Sequence, residues 1–332
     1  MTPDRRGLRL SRRRLLGAAA ALPLVSAAAR AETFPSKPIR VVLPGPAGGI
    51  IDVAVRSISE ALSAELGQQI IVDPRPGGNG IVAGQIVIAA PKDGYTIEAT
   101  VSGQLAFPFL MKMPFDVVED LTPIAMVGVS AAVLCIAKSL PIGSVDELVA
   151  WGGRNPGKLN YLNPGNGTPS HLVLEQIRLY KKVDLTSVPY KGLPPGVQDL
   201  LGERIQLGLI SAPLVLGHIR SGAIKAIAVS GAVRLPELPD VPTLREQGYG
   251  EFEVQSAIPM FGPKGLPQPI VDRLNAATAR ALADPVSRVR LAAAYIQPMP
   301  MTVPQMQSWV TKEHQRLGKL ITQLGIKADG AD

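Results

Sequence analysis

The residues of this chain with the clearest chemical capacity are glycines set where they expose backbone. Pro44-Gly45-Pro46-Ala47-Gly48-Gly49-Ile50-Ile51-Asp52 stands between a β-rich run, Ile39 to Leu43, and a run in which Ile51, Val55, Ile58, Leu62 and Leu66 recur at helical spacing. A strand, a loop with uncovered peptide edges and a helix N-terminus together make a cup for an anion. The first-turn N–H groups lack partners within the helix, and the aligned peptide dipoles add partial positive charge. The chemistry this suggests is capture of a carboxylate or a phosphate. It is not a nucleotide P-loop, because no Gly-Lys-Ser/Thr follows the glycines. The same spacing also serves a tight turn that needs glycine for its backbone angles alone. A second loop, Asn163-Pro164-Gly165-Asn166-Gly167, leads into Thr168, a good N-cap, and Pro169, suited to the first helical position. Two such cups suggest two halves closing on one ligand.

Side chains for covalent or metal chemistry are sparse. No G-x-S-x-G nucleophile elbow occurs, and His171, His218 and His314 are not spaced with each other or with carboxylates as metal ligands. His171 falls in the first turn after the second loop, within reach of a ligand or in a structural role. His218 and His314 fall on polar helix faces and are expected to be solvated. Cys135, the single cysteine, reads as a buried strand residue in the apolar run from Ala131 to Ala137. Gly78-Asn79-Gly80-Ile81-Val82-Ala83 has the G-x-G-x-x-A spacing of a dinucleotide fingerprint. However, Asp73-Pro74-Arg75-Pro76 separates it from the preceding strand, and the next strand, read as Gly94 to Ile97, holds no acid for a ribose. The absence of a catalytic set favours binding over catalysis, with no cofactor and no metal.

The elements that must position these loops alternate. Strand, helix and strand follow one another from Ile39 through Ile70–Val72, Ile81–Ala90 and Gly94–Ile97, which implies parallel βαβ units. Strands are expected at Ile124–Val127 and Val133–Ala137, then a helix opened by a capping box at Ser144-Val145-Asp146-Glu147, then a strand at Leu159–Leu162. A helix near Pro195–Leu201, strands at Ile205–Ile210 and Ala223–Val229, and a helix between those strands come next. Leu235 to Pro242 is proline-rich and reads as a surface crossing. A strand over Phe252–Phe261 and helices near Pro267–Ala283, Pro285–Ala294 and Val303–Leu324 complete the chain.

At 332 residues, two domains are the starting expectation. Residues 1–31 stand apart: Ser11-Arg12-Arg13-Arg14-Leu15-Leu16 has the pattern of a twin-arginine export signal, and Ala29-Arg30-Ala31 offers a cleavage site before Glu32. Seven of the 34 basic residues and one of the 27 acidic ones precede Glu32, so 27 positive charges face 26 negative ones thereafter. The basicity belongs to the leader, and nothing in the remainder points to nucleic acid.

Several ordered segments resemble one family along nearly the whole exported length. They are Phe34-Pro35-Ser36-Lys37-Pro38-Ile39-Arg40, the Pro44–Asp52 loop, Arg75-Pro76-Gly77-Gly78-Asn79-Gly80, Asp93-Gly94-Tyr95-Thr96, Pro156-Gly157-Lys158-Leu159-Asn160-Tyr161, Gly165-Asn166-Gly167-Thr168 with His171, Val188-Pro189-Tyr190-Lys191-Gly192, and Leu238-Pro239-Asp240-Val241-Pro242-Thr243. The chain thus resembles the periplasmic solute-binding proteins of tripartite tricarboxylate transporters, also called Bug receptors. The resemblance implies a periplasmic binding protein of type II: two Rossmann-like α/β domains joined by a two-crossing hinge, residues 32–131 plus 251–332 and residues 132–250. It implies a monomer that holds a small organic acid in the cleft and delivers it to membrane transporter subunits. Pro46, Ala47, Gly48, Gly49, Ile51, Asp52, Ser102, Gly103, Asn166, Gly167, Thr168, His171, Lys191 and Ser211 are the implied ligand contacts. A sensor subunit or an enzyme on the same scaffold are the alternatives. Three departures touch the expected cleft. Ile210-Ser211 stands where the family carries Asp-Ser, the family's Trp is replaced near Ala257, and a His and an Asn-Pro after Thr100 are lost. With isoleucine at 210 an amino group in the cleft would lack its acceptor, so a plain or hydroxy carboxylate is expected, not an amino acid.

Overall fold

The structure, a computed structural model, describes residues 34–326 except 232, 253 and 255; the export signal expected at 1–31 lies outside the described residues. It opens on β1 (Ile39–Leu43), whose Ile39, Val41, Val42 and Leu43 are covered on both faces. Helix α1 (Ile50–Leu66) follows and turns Ile51, Val55, Ile58, Leu62 and Leu66 inward while Arg56 stays outside. Gly67 ends the helix at φ 71°, a left-handed value that glycine reaches without strain. Then come β2 (Ile70–Pro74), α2 (Ile81–Ile88), β3 (Thr96–Ala99), 3-10 turns at Ser102–Leu105 and Phe107–Phe109, and β4 (Leu121–Ser130). One residue later the chain enters β5 (Ala132–Ala137), then α3 (Val145–Arg154), β6 (Leu159–Asn163), α4 (Pro169–Tyr180), β7 (Leu185–Pro189), α5 (Leu193–Leu201), β8 (Leu207–Ser211), α6 (Ala212–Arg220) and β9 (Ile224–Ser230). It closes with β10 (Ser256–Pro263), α7 (Gln268–Ala283), α8 (Pro285–Ala293), β11 (Ile296–Pro298) and α9 (Val303–Leu324).

These strands form two sheets, a six-stranded one in the order β11-β4-β10-β3-β1-β2 and a five-stranded one in the order β7-β6-β8-β5-β9. In the first, β1 is parallel to β2 and β3, and β10 runs antiparallel between β3 and β4. In the second, β6 is parallel to β7 and β8, and β5 runs antiparallel between β8 and β9. Parallel neighbours end at the same sheet edge, so the loops after β1 and β3 gather at one rim and those after β6 and β8 at another. One apolar cluster spans both sheets: Leu105 and Leu110 share it with Leu134, Tyr161 and Leu172, and α9 adds Met306, Val310 and Leu317.

The structure departs from the sequence reading where an element is short or ends irregularly. β10 begins at Ser256; Phe252, read as its start, sits in a 3-10 turn with its ring 5.6 Å from that of Tyr180. β11 escaped the sequence because three residues are too few to show alternation, and its antiparallel pairing with β4 creates it. α5 starts at Leu193, since proline is suited to a first helical turn. Ser144 caps α3, but Glu147 turns to the Gly143 N–H at 2.6 Å and closes no capping box. Cys135 is fully buried in β5, where burial pushes its thiol up.

β3 extends to Ala99 and so takes in Glu98, an acid that the shorter strand expected there leaves out. Glu98 is fully buried and pairs in register with Val42 and Phe261. Gln104 Nε2 donates to its Oε1 at 3.2 Å, while Glu98 Oε2 and Gln104 Oε1 have no partner among the described residues. Burial pushes the carboxyl up to about 8, against the smaller opposing effect of the Gln104 bond. The folded state therefore keeps a proton that the unfolded chain releases near 4.5, so stability falls as pH rises from there toward about 8 and then levels. Glu98→Gln is expected to flatten this slope, at about 1.4 kcal/mol per pH unit over the window. Thermal melts of both proteins from about pH 5 to about pH 9 check it; parallel curves would mean that Glu98 is ionised in the fold.

Candidate functional site

The first glycine loop is held by its own acid. Pro46 O accepts the Gly49 N–H at 3.1 Å, and Gly48, at φ 77°, donates its N–H to Asp52 Oδ2 at 2.9 Å. Arg56, one turn on, clamps the same carboxylate through Nε at 2.9 and 3.0 Å. Burial raises the Asp52 carboxyl, but Arg56 and the Gly48 N–H outweigh it and hold the group below its usual range. Asp52 thus faces into its own loop, while the buried side chain of Ile51 packs in the core with Leu43 and Val55. The N-cap, Gly49, has no side-chain cap, and the first bond into α1 is Val53 N–H to Gly49 O at 2.9 Å. The N–H groups of Ile50, Ile51 and Asp52 precede that bond, and Pro46, Ala47 and Gly48 beside them are exposed. This is an open cup.

The loops after β2 and β3 pack beside it. A Cβ on Gly80 would lie 3.3 Å from Pro44 and 3.4 Å from the Gln104 amide, so glycine there lets three loop segments meet. Ser102 Oγ accepts the Ala257 N–H at 3.1 Å, which ties the turn after β3 to β10. Gly103 faces open space.

The second loop is closed by internal acceptors, contrary to the uncovered edge read from its glycines. Asn163 Oδ1 takes the Gly165 N–H at 3.0 Å, Gly165 O takes the Thr168 N–H at 3.3 Å, and His171 Nδ1 takes the Gly167 N–H at 3.3 Å. Thr168 caps α4 as expected, accepting from the His171 N–H at 3.4 Å. The buried ring of His171 therefore shapes the loop. Asn166 and His171 also border a crevice of about 410 Å³ with Glu175, Arg178 and Ser187. In it Arg178 Nη2 meets Glu175 Oε2 at 2.6 Å and Tyr161 donates to Glu175 Oε1 at 2.7 Å. Burial raises the Glu175 carboxyl, but Arg178 and then Tyr161 outweigh it and hold the group low.

The remaining expected contacts scatter. Ser211 ends β8 opposite Ala132 and stands at the N-cap of α6 without forming a side-chain cap. Lys191 is exposed on the turn after β7, whose Tyr190 N–H reaches Asn163 O at 2.8 Å. Ile210 is fully buried in the aliphatic cluster with Val133, Leu162 and Val215, so the exclusion of amino acids loses its geometric basis. His314 is not solvated: its Nδ1 lies 2.9 Å from Leu105 O and its ring 4.7 Å from that of Phe109, because α9 packs over the 3-10 turns. The sequence reading missed Glu98, Gln104, Arg56 and Leu110. An acid inside the apolar run Thr96–Ala99 was the one available signal for the first.

Gly167 joins the second loop to the first half of the chain. Its φ is 78°, and a Cβ there would come within 2.1 Å of Leu110 Cδ1. Gly167→Ala is expected to cost about 2–4 kcal/mol, part overpacking and part backbone strain. In a Leu110→Ala background only the strain should remain, about 1–2 kcal/mol. Urea unfolding of the four proteins in the cycle measures this, and equal costs in both backgrounds would refute the contact.

Among the described residues no group of three or more His, Cys, Asp or Glu is placed to hold a metal, and no helix is long and apolar enough to cross a membrane. Comparison with known proteins places the chain. Three solved structures align along nearly their whole length. The periplasmic binding protein BugD is 30% identical with a TM-score of 0.73, covering 89% of this chain and 100% of its own. The Rhodopseudomonas palustris protein Rpa4515 with adipate is 32% identical with a TM-score of 0.76, covering 88% and 99%. MatC from the same organism, with bound malate, is 29% identical with a TM-score of 0.71, covering 87% and 100%. A family model matches residues 54–326, and the chain belongs to the tripartite tricarboxylate transporter family receptors, a family of periplasmic binding proteins.

Proposed function

We propose that this protein is an exported periplasmic receptor that captures a small organic dicarboxylate between two hinged halves and hands it to a membrane transporter. The observation that carries the reading is the open cup after β1: N–H groups of Ile50, Ile51 and Asp52 ahead of the first helical bond, no side-chain cap on Gly49, and an exposed Pro46–Gly48 rim. A carboxylate satisfies such donors with charge-assisted bonds. The adipate and malate held by the two R. palustris relatives carry two carboxylates each, and this chain shares their fold at about 30% identity. In this reading the N–H groups of Ile50, Ile51 and Asp52 meet one carboxylate within the rim formed by Pro46, Ala47, Gly48 and Gly49, and Gly103, Asn166, Gly167, Thr168, Lys191 and Ser211 line the rest of the cleft. The side chains of Asp52, Ile51, Ser102 and His171 hold the loops in shape.

The reading also sets boundaries. Residues 32–131 with 251–332 form one moving body and 132–250 the other, since the first sheet draws its strands from 39–130 and 256–298 and the second from 132–230. Residues 1–31 direct export through the twin-arginine route and are cleaved after Ala31. The mature protein works as a monomer and turns over no substrate.

A thermal-shift panel of adipate, malate, citrate, aromatic acids, aspartate and glutamate tests this. A dicarboxylate at a hundred times its dissociation constant should stabilise the mature protein by about 2.7 kcal/mol, with a more compact scattering profile. Gly103→Leu, which adds a side chain into open space, should weaken that ligand more than about tenfold and leave the ligand-free melting temperature almost unchanged. Turnover of the acid, or no response to any member of the panel, would sink the proposal.

A further inference from the structure

Behind the crossing strands, away from both glycine loops, lies a crevice of about 260 Å³. Its place follows from the strand orders. β4 passes almost directly into β5; β10, β3 and β1 lie to one side of β4 and β11 to the other, while β8 and β6 lie to one side of β5 and β9 to the other. The glycine loops leave β1 and β6. The crevice is walled instead by β11, the end of β9 and the segment that leaves β9 through Leu235 to Glu237. Its surface is largely apolar, with Val129, Leu235, Pro236, Ile296 and Pro298. Two of its lining residues carry a buried polar atom, Ser130 Oγ and Glu237 Oε2, without a hydrogen-bond partner among the described residues, a condition that folded chains rarely leave unanswered. The adjacent guanidinium is engaged elsewhere, since Arg234 Nε bonds both oxygens of Glu246 at 3.0 Å and its Nη1 bonds Pro239 O at 2.9 Å.

We propose that this crevice is a second binding site, for a small amphipathic amine whose ammonium donates to Glu237 and Ser130 and whose apolar body rests on Leu235 and Ile296. A carboxylate oxygen only accepts, so the occupant must donate, and a cation also compensates the buried charge. An organic acid would bring like charge to Glu237 and is excluded. The volume is at the small end for ligand pockets, which suits one compact alkyl or aryl group. The crevice is built on both crossings, so its occupant biases the angle between the halves; that consequence, unlike the site itself, rests on the hinged-receptor reading.

Titration calorimetry with n-hexylamine, cyclohexylamine and phenethylamine, run beside hexanoate and phenylacetate, tests the site. At least one amine is expected to bind one per chain, and the acids should fail to displace it. Glu237→Gln should weaken that amine at least about tenfold. Ala292→Trp, on the exposed side of the crevice, should abolish binding by filling its mouth. Circular dichroism checks both folds, and if Glu237→Gln does not fold, Ala292→Trp carries the test. No binding of any amine at millimolar concentration, or unchanged affinity in the folded variants, overturns the proposal. Acid binding in the cleft is measured separately, so either reading can fail without the other.

Discussion

A peptide N–H at the start of a helix must find an acceptor, and where that acceptor comes from separates the two glycine loops. At α1 nothing among the described residues supplies one: Gly49 has no side chain, and the only acid in the first turn, Asp52, is spent on Gly48 and Arg56. At α4 the chain supplies nearly all of them, through Asn163, Gly165, Thr168 and His171. The two loops look alike in sequence because both need glycine and both start a helix. They differ in the side chains two to four residues away, which decide whether the donors remain for a ligand.

Asp52 shows how this works. A carboxylate in the first turn complements the helix dipole and would ordinarily compete with an incoming anion. Here Arg56 draws the charge back along the helix, and the Gly48 N–H pins it beneath the loop. The group folds the cup rather than filling it. Its lowered pKa has the same origin, so this contribution to stability is present above the ordinary aspartate value and is lost as pH falls through the lower folded one.

Much of the fold was legible because it rests on periodicity. The stripe Ile51, Val55, Ile58, Leu62, Leu66 is the buried face of α1, and the bounds Val303–Leu324 are those of α9, where the Thr302 cap and Gly325 stop agree with the apolar pattern. What the sequence hid depends on contacts between distant residues. β11 exists through its pairing with β4, Glu98 is buried on a strand flanked by its register partners Val42 and Phe261, and His314 bonds Leu105 across more than two hundred residues. The site divides in the same way. Glycines and caps mark the loops locally, whereas the burial of Ile210 and the capture of the Gly167 N–H by His171 follow from the packed interior.

The bonds that close the second loop are long ones. The internal bonds at Gly167, Thr168 and His171 are 3.3, 3.3 and 3.4 Å, long for N–H···O or N–H···N contacts and correspondingly weak. Each joins neutral groups, where the exchange with water leaves little net stabilisation. A carboxylate offers the same donors shorter, charge-assisted bonds. Leu110, just past the 3-10 turn Phe107–Phe109, packs against that loop so closely that a Gly167 Cβ would lie 2.1 Å from its Cδ1, which leaves no room for a side chain there. The second loop is therefore tied to the first half of the chain at Leu110, whereas the rim of the first cup, Pro46 to Gly48, is exposed.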